Sequence, residues 1–300
     1  MHISICVNEI LDFLQIQPGQ VGLDATLGYG GHTKEMLKCL NGKGHIYGLD
    51  VDPIESEKTK KRLASQGFAE DVLTVRLQNF ADIDLVSKDI GRKFDFILAD
   101  LGVSSMQIDN PDRGFSYKVE GSLDLRLNPN KGKSAADRLK EVTKIELEGM
   151  LVENSDEPYA KEITKVVMDW RKKGKAIETT LQLKEVIEEA LCVVPQKERK
   201  EAVKKSCART FQALRIDVNN EFEVLYSFLE KLPEVLAPNG RVAILTFHSG
   251  EDRLVKKSFK EMKNLGLYSE ISKDVIRPSA EECLRNPRAK STKMRWAIKS

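Results

Sequence analysis

The chain has 300 residues, of which 41% are hydrophobic and 31% charged, with a formal net charge of +2 and a mean hydropathy of −0.37. This is enough sequence for one large or two modest domains with a substantial core, and it lacks the bias of a disordered chain. The apolar runs are only strand-length, no basic-then-apolar leader opens the chain, and a pI near 8.1 falls short of a domain that advertises nucleic-acid binding, so a cytoplasmic, non-membrane protein is expected. Cys6, Cys39, Cys192, Cys207 and Cys283 are dispersed, and His2, His32, His45 and His248 have no ligand spacing. Neither a disulfide framework nor a metal site is expected.

Val21 and Leu23 read as the first strand, ahead of a turn carrying Gly28, Gly30 and Gly31. Met36, Leu37 and Leu40 then recur at helical spacing. The run Ile46-Tyr47-Gly48-Leu49 forms a second strand ending in Asp50, and Asp52-Pro53 supplies an N-cap and first turn for the next helix. Strand, glycine turn, helix, strand and lone carboxylate form the pattern by which an open α/β sheet holds a nucleoside or dinucleotide. The position that a dinucleotide fingerprint fills with its third glycine is Thr33. S-adenosylmethionine, which has no pyrophosphate, is therefore favoured over a nicotinamide dinucleotide, and an ordinary ligandless turn also stays open.

Val72 to Leu77 reads as strand three, and Phe94 to Asp100 as strand four, which ends in a second carboxylate. From about Ile108 to Ser206 helical patterns replace strands, among them Ile163, Val166, Val167 and Trp170, with a helix start at Thr179-Thr180. A helix around Phe222 to Leu232, a turn at Pro238-Asn239-Gly240 and strand five at Arg241 to Phe247 resume the alternation. The expected architecture is a Rossmann-like α/β domain of residues 1–107 and 207–300, interrupted by an all-helical domain of residues 108–206. Asp100 and the hydroxyl of Ser104 stand where open sheets place their chemistry. A carboxylate there can orient an amine whose lone pair is delocalised into a ring.

Asp100-Leu101-Gly102-Val103-Ser104-Ser105, Arg113-Gly114-Phe115-Ser116, Leu123-Asp124-Leu125-Arg126, Arg209 to Ile216, Phe247-His248-Ser249 with Glu251-Asp252-Arg253, and Asn286-Pro287-Arg288-Ala289 follow in this order. Together they resemble the bacterial MraW family, and the resemblance runs from His2 to the C-terminus. It implies a class I methyltransferase that uses S-adenosylmethionine to methylate N4 of a cytidine in the decoding region of 16S rRNA. By the same resemblance, Gly30, Gly31, His32, Asp50, Phe80, Asp100 and Gln107 bind the cofactor; Phe80 and Gln107 rest on it alone. Arg113, Phe115, Arg126, Arg209, His248, Arg253 and Arg288, all within those motifs, are the candidate substrate-facing side chains, with Tyr117 and Phe247 as further stacking candidates.

Departures from the family pattern point to a divergent second copy. They are Ser4 for proline, Val51 for arginine, Met106 for proline, Leu125 and Leu127 for methionine, Asn154 to Glu157 for Tyr-Gly-Glu-Glu, and Gly250 for leucine. Beyond Leu284 there is no acid, while Arg285, Arg288, Lys290, Lys293, Arg295 and Lys299 are basic, and further basic clusters fall at Arg171 to Lys175 and Lys197 to Lys205. Such runs are either solvated faces or an RNA surface. An RNA-binding assembly factor without catalysis remains an alternative, and the oligomeric state, homodimer included, is left open.

Overall fold

A computed structural model describes residues 4–300, so His2 lies outside the described residues. The chain forms two compact units, one of residues up to Gly102 together with Phe222–Ser300, the other Val103–Glu221.

The first unit is built on a sheet of β1 (Val21–Asp24), β2 (His45–Asp50), β3 (Leu73–Leu77), β4 (Phe94–Asp100), β5 (Leu236–Thr246), β6 (Tyr268–Ile271) and β7 (Lys293–Lys299), in the order β3-β2-β1-β4-β5-β7-β6. Strands β1 to β5 are parallel, and β7 runs antiparallel to both β5 and β6. The fold is Rossmann-like. The winding reverses between β1 and β4, and ligands of open α/β sheets sit outside the carboxyl ends of the strands at such a reversal. Both faces are covered, which is why β4 reads as a continuous apolar run from Phe96 to Ala99. Phe94, Ile97 and Ala99 pack with Phe228, Leu229 and Leu232 on one face, while Phe96 and Leu98 pack with Ile10, Leu14, Met36 and Leu40 on the other. Each such fully buried Leu, Ile, Phe or Met side chain contributes roughly 1.5–3 kcal/mol.

Two features depart from the sequence expectation. Strand β5 begins at Leu236, opposite Phe94, and its register then jumps to Arg241 opposite Phe96. Pro238-Asn239-Gly240 is thus an irregularity inside the strand, with Asn239 at φ 60°, and not a turn before it. The antiparallel pair β6 and β7 had no legible signal, because Lys293, Arg295 and Lys299 obscure the alternation. Arg295 is nevertheless buried, its Nε donating to Asp252 Oδ1 at 2.7 Å, and Lys293 Nζ lies 3.0 Å from Asp252 Oδ2.

The second unit is helical, its core formed by the helices Ala135–Glu141, Lys144–Ser155, Ala160–Lys172, Thr180–Ala190 and Gln196–Asn219. Thr143 and Thr179 cap two of them in reciprocal boxes with Glu146 and Gln182. The expected boundary at 206/207 is corrected: it would cut the 24-residue helix Gln196–Asn219 in the middle. Cys207, Phe211 and Leu214, all beyond that cut, pack with Leu151, Leu183 and Ile187, so the whole helix belongs to this unit. At the other boundary the unit starts at Val103, five residues before the expected 108. No helix among the described residues is long and apolar enough to cross a membrane.

Candidate active site at the carboxyl edge of the sheet

Asp24, buried at the end of β1, organises the glycine turn. Its Oδ1 accepts the Thr26 amide at 3.1 Å and its Oδ2 the Thr33 hydroxyl. Gly30 sits at φ 73°, and a Cβ there would lie 2.7 Å from Thr59 Cγ2 and 2.9 Å from Leu63 Cδ1, so conformation and packing both demand glycine. Gly31 opens the helix Gly31–Leu40, whose first amides have no intrahelical acceptor. Asp50 faces this turn from β2. Its Oδ2 accepts the Gly28 amide and its Oδ1 the Asp52 amide, each at 2.8 Å. Each oxygen keeps a second lone pair. Burial lifts the Asp50 carboxyl to about 6, against the pull of those two amides.

Asp100 ends β4, its amide donating to Thr26 Oγ1 at 2.6 Å. Its side chain retains 27% exposure, yet Oδ1 is buried and has no hydrogen-bond partner. Such an orphan is costly unless something arrives to satisfy it. Oδ2 lies 3.4 Å from His32 Nδ1, and His32 Nε2 lies 2.8 Å from the Ile5 carbonyl. A carbonyl only accepts, so Nε2 carries a proton. Burial raises Asp100 to about 6, His32 pulls it down, and Asp24 and Glu251 push it up. Sequence reasoning reached Asp50 and Asp100. It missed Asp24 and Thr26, although both lie within the first motif, and the Ile5 carbonyl has no sequence signal.

Phe80 stands in a short turn after β3, edge-on to Phe228 with ring centroids 5.1 Å apart. In the helical unit, Ser104 caps the helix Ser105–Asp109: its Oγ accepts the Gln107 amide at 3.2 Å, and Gln107 Oε1 accepts the Ser104 amide at 2.9 Å. Both candidates therefore carry a local structural duty.

Several substrate-facing candidates are engaged within the chain itself. Arg113 is buried and its Nη2 donates to the carbonyls of Arg126 and Leu127, at 2.9 and 2.8 Å. Arg126 makes a two-pronged pair with Asp124, at 2.7 and 2.8 Å. Phe115 and Tyr117 pack against the helical core, Tyr117 edge-on to Phe211. His248 caps the helix Ser249–Asn264 in a box with Glu251, whose Oε2 also accepts the Phe247 amide at 2.8 Å. Phe247 packs against the sheet core. Gly250 is explained by Phe222: a Cβ at 250 would lie 2.6 Å from that ring. Arg209 is half-buried, and Arg253 and Arg288 are exposed.

The basic runs are also partly spent. Arg285 pairs with Glu281, Arg171 Nη1 donates to the Val142 carbonyl at 2.5 Å, and Arg199 Nη2 donates to the carbonyls of Cys192 and Val194. Where dispersed cysteines suggested no ligand cluster, Cys6, Glu9 and Glu282 bring ligand atoms within 4.8 Å of one another. Glu282 Oε1 accepts the Cys6 amide, and burial with the two carboxylates pushes the Cys6 thiol up.

Residues 1–300 match the sequence model of the MraW methylase family. The chain is 69% identical, over its whole length and 82% of the relative's, to the ribosomal RNA small subunit methyltransferase H 1 of Lachnoclostridium phytofermentans. It is 65% identical to the protein of that name in Agathobacter rectalis and 61% identical to the ribosomal RNA small subunit methyltransferase H 2 of Alkaliphilus metalliredigens, in both cases over all of this chain and 86% of the relative.

Proposed function

The chain belongs to the MraW methylase family, and from that premise we propose that it transfers a methyl group from S-adenosylmethionine to the exocyclic N4 amine of a cytidine in the decoding region of 16S rRNA. The observation that carries this reading is the buried, unpartnered Oδ1 of Asp100 at the end of β4, beside a turn that only glycine fits. The relatives' names support small-subunit rRNA as the substrate. Their copy numbers support a protein that exists beside a second version of itself.

S-adenosylmethionine supplies an electrophilic methyl group on a sulfonium. Asp50, with one lone pair left on each oxygen, accepts hydrogen bonds from two ribose hydroxyls. Gly30 and Gly31 leave room for the methionine portion, and the free amides that open the helix Gly31–Leu40 favour its carboxylate. Phe80 offers a ring face to the adenine. His32 holds Asp100 in place from one side. As a carboxylate, Asp100 accepts a hydrogen bond from the target amine and turns its nitrogen toward the methyl group. Nitrogen attacks the methyl carbon directly as the carbon–sulfur bond breaks, S-adenosylhomocysteine leaves, and the surplus proton on N4 passes to the Asp100 carboxylate, so no cysteine nucleophile is needed.

A stacked cytidine cannot meet a methyl donor in line, so the base is splayed into the site. The unit Val103–Glu221 serves as the substrate-recognition domain, and Gln107 and Ser104 near its start remain the candidates of that unit for cofactor binding and catalysis. Arg209, Arg253 and Arg288 are the arginines suited to RNA phosphates. The substrate is the RNA within the small ribosomal subunit, which places the enzyme in the cytoplasm. The test is to incubate the protein with methyl-labelled S-adenosylmethionine and small subunits lacking the modification, then map the label. Label in N4-methylcytidine is the expected result, and label in another nucleoside, or none, refutes the reading.

A further inference from the structure

The helix Ser249–Asn264 leaves the end of β5 and carries Lys256, Lys260 and Lys263 at i, i+4 and i+7, a single stripe spanning roughly 10 Å along its axis. The stripe borders a pocket of about 260 Å³ that Lys273, just after β6, closes from the other side. Phe259 and Ile271 give the pocket an apolar floor. Its one other cation, Arg295, is held by Asp252 at 2.7 Å, and no carboxylate lines the pocket. Among the described residues none of the four lysines has an ion-pair partner.

Two other helices of the same unit show a different pattern. Lys58 and Lys61 of the helix Pro53–Ser65 pair with Glu55 and Glu57, and Lys231 pairs with Asp84 at 2.8 Å. Like charges at helical spacing destabilise their own helix, so an uncompensated stripe converging on a concave surface is suited to a partner that brings negative charge. Lysine ammonium groups suit phosphate as point charges, with no demand for planar alignment.

We propose that this pocket and stripe bind the phosphodiester backbone of the RNA substrate, forming an anchoring surface separate from the glycine turn and Asp100. The proposal rests on the RNA reading above and goes beyond it by naming where the strand is held. The backbone runs along Lys256, Lys260 and Lys263, and one phosphate enters the pocket toward Lys273. Binding there carries no base information, so it sets affinity and not sequence choice.

The test compares the full-length protein with the variant Lys256→Gln/Lys260→Gln/Lys263→Gln and with a charge-matched control, Lys43→Gln/Lys58→Gln/Lys61→Gln. Binding of a fluorescently labelled small-subunit RNA fragment is measured over a series of salt concentrations. Each lost phosphate contact on a single strand flattens the plot of log K against log salt by about 0.7, so the first variant should lose roughly 2 units of slope and the control far less. In methyl transfer the first variant should show a raised KM for the subunit, at least about tenfold, with unchanged kcat and unchanged affinity for S-adenosylmethionine. An unchanged slope, or an equal loss in the control, overturns the proposal. Unchanged RNA binding with lost binding to assembled subunits overturns it too, and assigns the pocket to an acidic protein surface. If the wild-type protein methylates no RNA, the activity reading fails, while the slope comparison still decides this surface.

Discussion

The carboxyl edge of the sheet and the loop from Arg113 to Arg126 both looked chemically promising as sequence, and they differ in what their polar groups have left to give. At the sheet edge, Asp100 Oδ1 is buried without a partner, and Asp50 keeps a lone pair on each oxygen after taking two amides. In the loop, the Arg113 Nη2 and the Arg126 fork are already engaged by carbonyls and by Asp124. Residue type alone does not separate the two cases. Capacity left over at the ends of β2 and β4 is available to a ligand, whereas the donors of Arg113 Nη2 and the Arg126 fork already hold their own loop together.

The largest test of that contrast is Asp100→Asn. Methyl transfer should fall by at least about a hundredfold, since the amide keeps one acceptor oxygen but carries no charge and takes no proton from the amine. Stability should move the other way. Folding raises the Asp100 carboxyl to about 6 from an unfolded value near 3.9, so the folded state binds the proton more tightly. Stability therefore declines as pH rises from about 4 through about 6 and stays lower above it, and the neutral amide should recover about 1–3 kcal/mol at pH 7.5, read as a higher Tm. In the wild type, activity should drop as pH falls through about 6. Activity retained in the variant would remove Asp100 from the chemistry.

Arg113→Ala should do the reverse. Two carbonyls lose their donor in a buried setting, and unfolding by denaturant should reveal a loss of about 2–4 kcal/mol, with kcat per folded molecule preserved. A variant of normal stability with a collapsed kcat/KM would return Arg113 to the substrate and break the comparison. Asp50→Ala sharpens it from the other side. Calorimetric titration should find S-adenosylmethionine bound about 10- to 100-fold more weakly, with kcat at saturation little changed. An unaltered Kd would mean that its free lone pairs are not used.

The first five strands and the glycine turn were legible because local rules and packing agree there: β-runs buried on both faces, and Asp52-Pro53 at a helix start. The last two strands were not, since the burial of Arg295 depends on Asp252, more than forty residues away in the chain. The same limit applies to the site. Asp50 and Asp100 could be placed from strand ends alone, but the engagement of Arg113 with the carbonyls of Arg126 and Leu127 is a tertiary fact. His248 has the reverse explanation. The pair His248 and Glu251 has the spacing of a capping box, a local signal present in the sequence itself.

The threading of β7 between β5 and β6 governs how this protein is born. As the nascent chain leaves the ribosome, β4 emerges early with an apolar flank exposed, and the entire helical unit must follow before β5 arrives to cover it. Even then β5 and β6 cannot be joined until Lys293–Lys299 has been translated. The nucleoside-binding half of the sheet can condense during synthesis, but the finished molecule waits for its final strand.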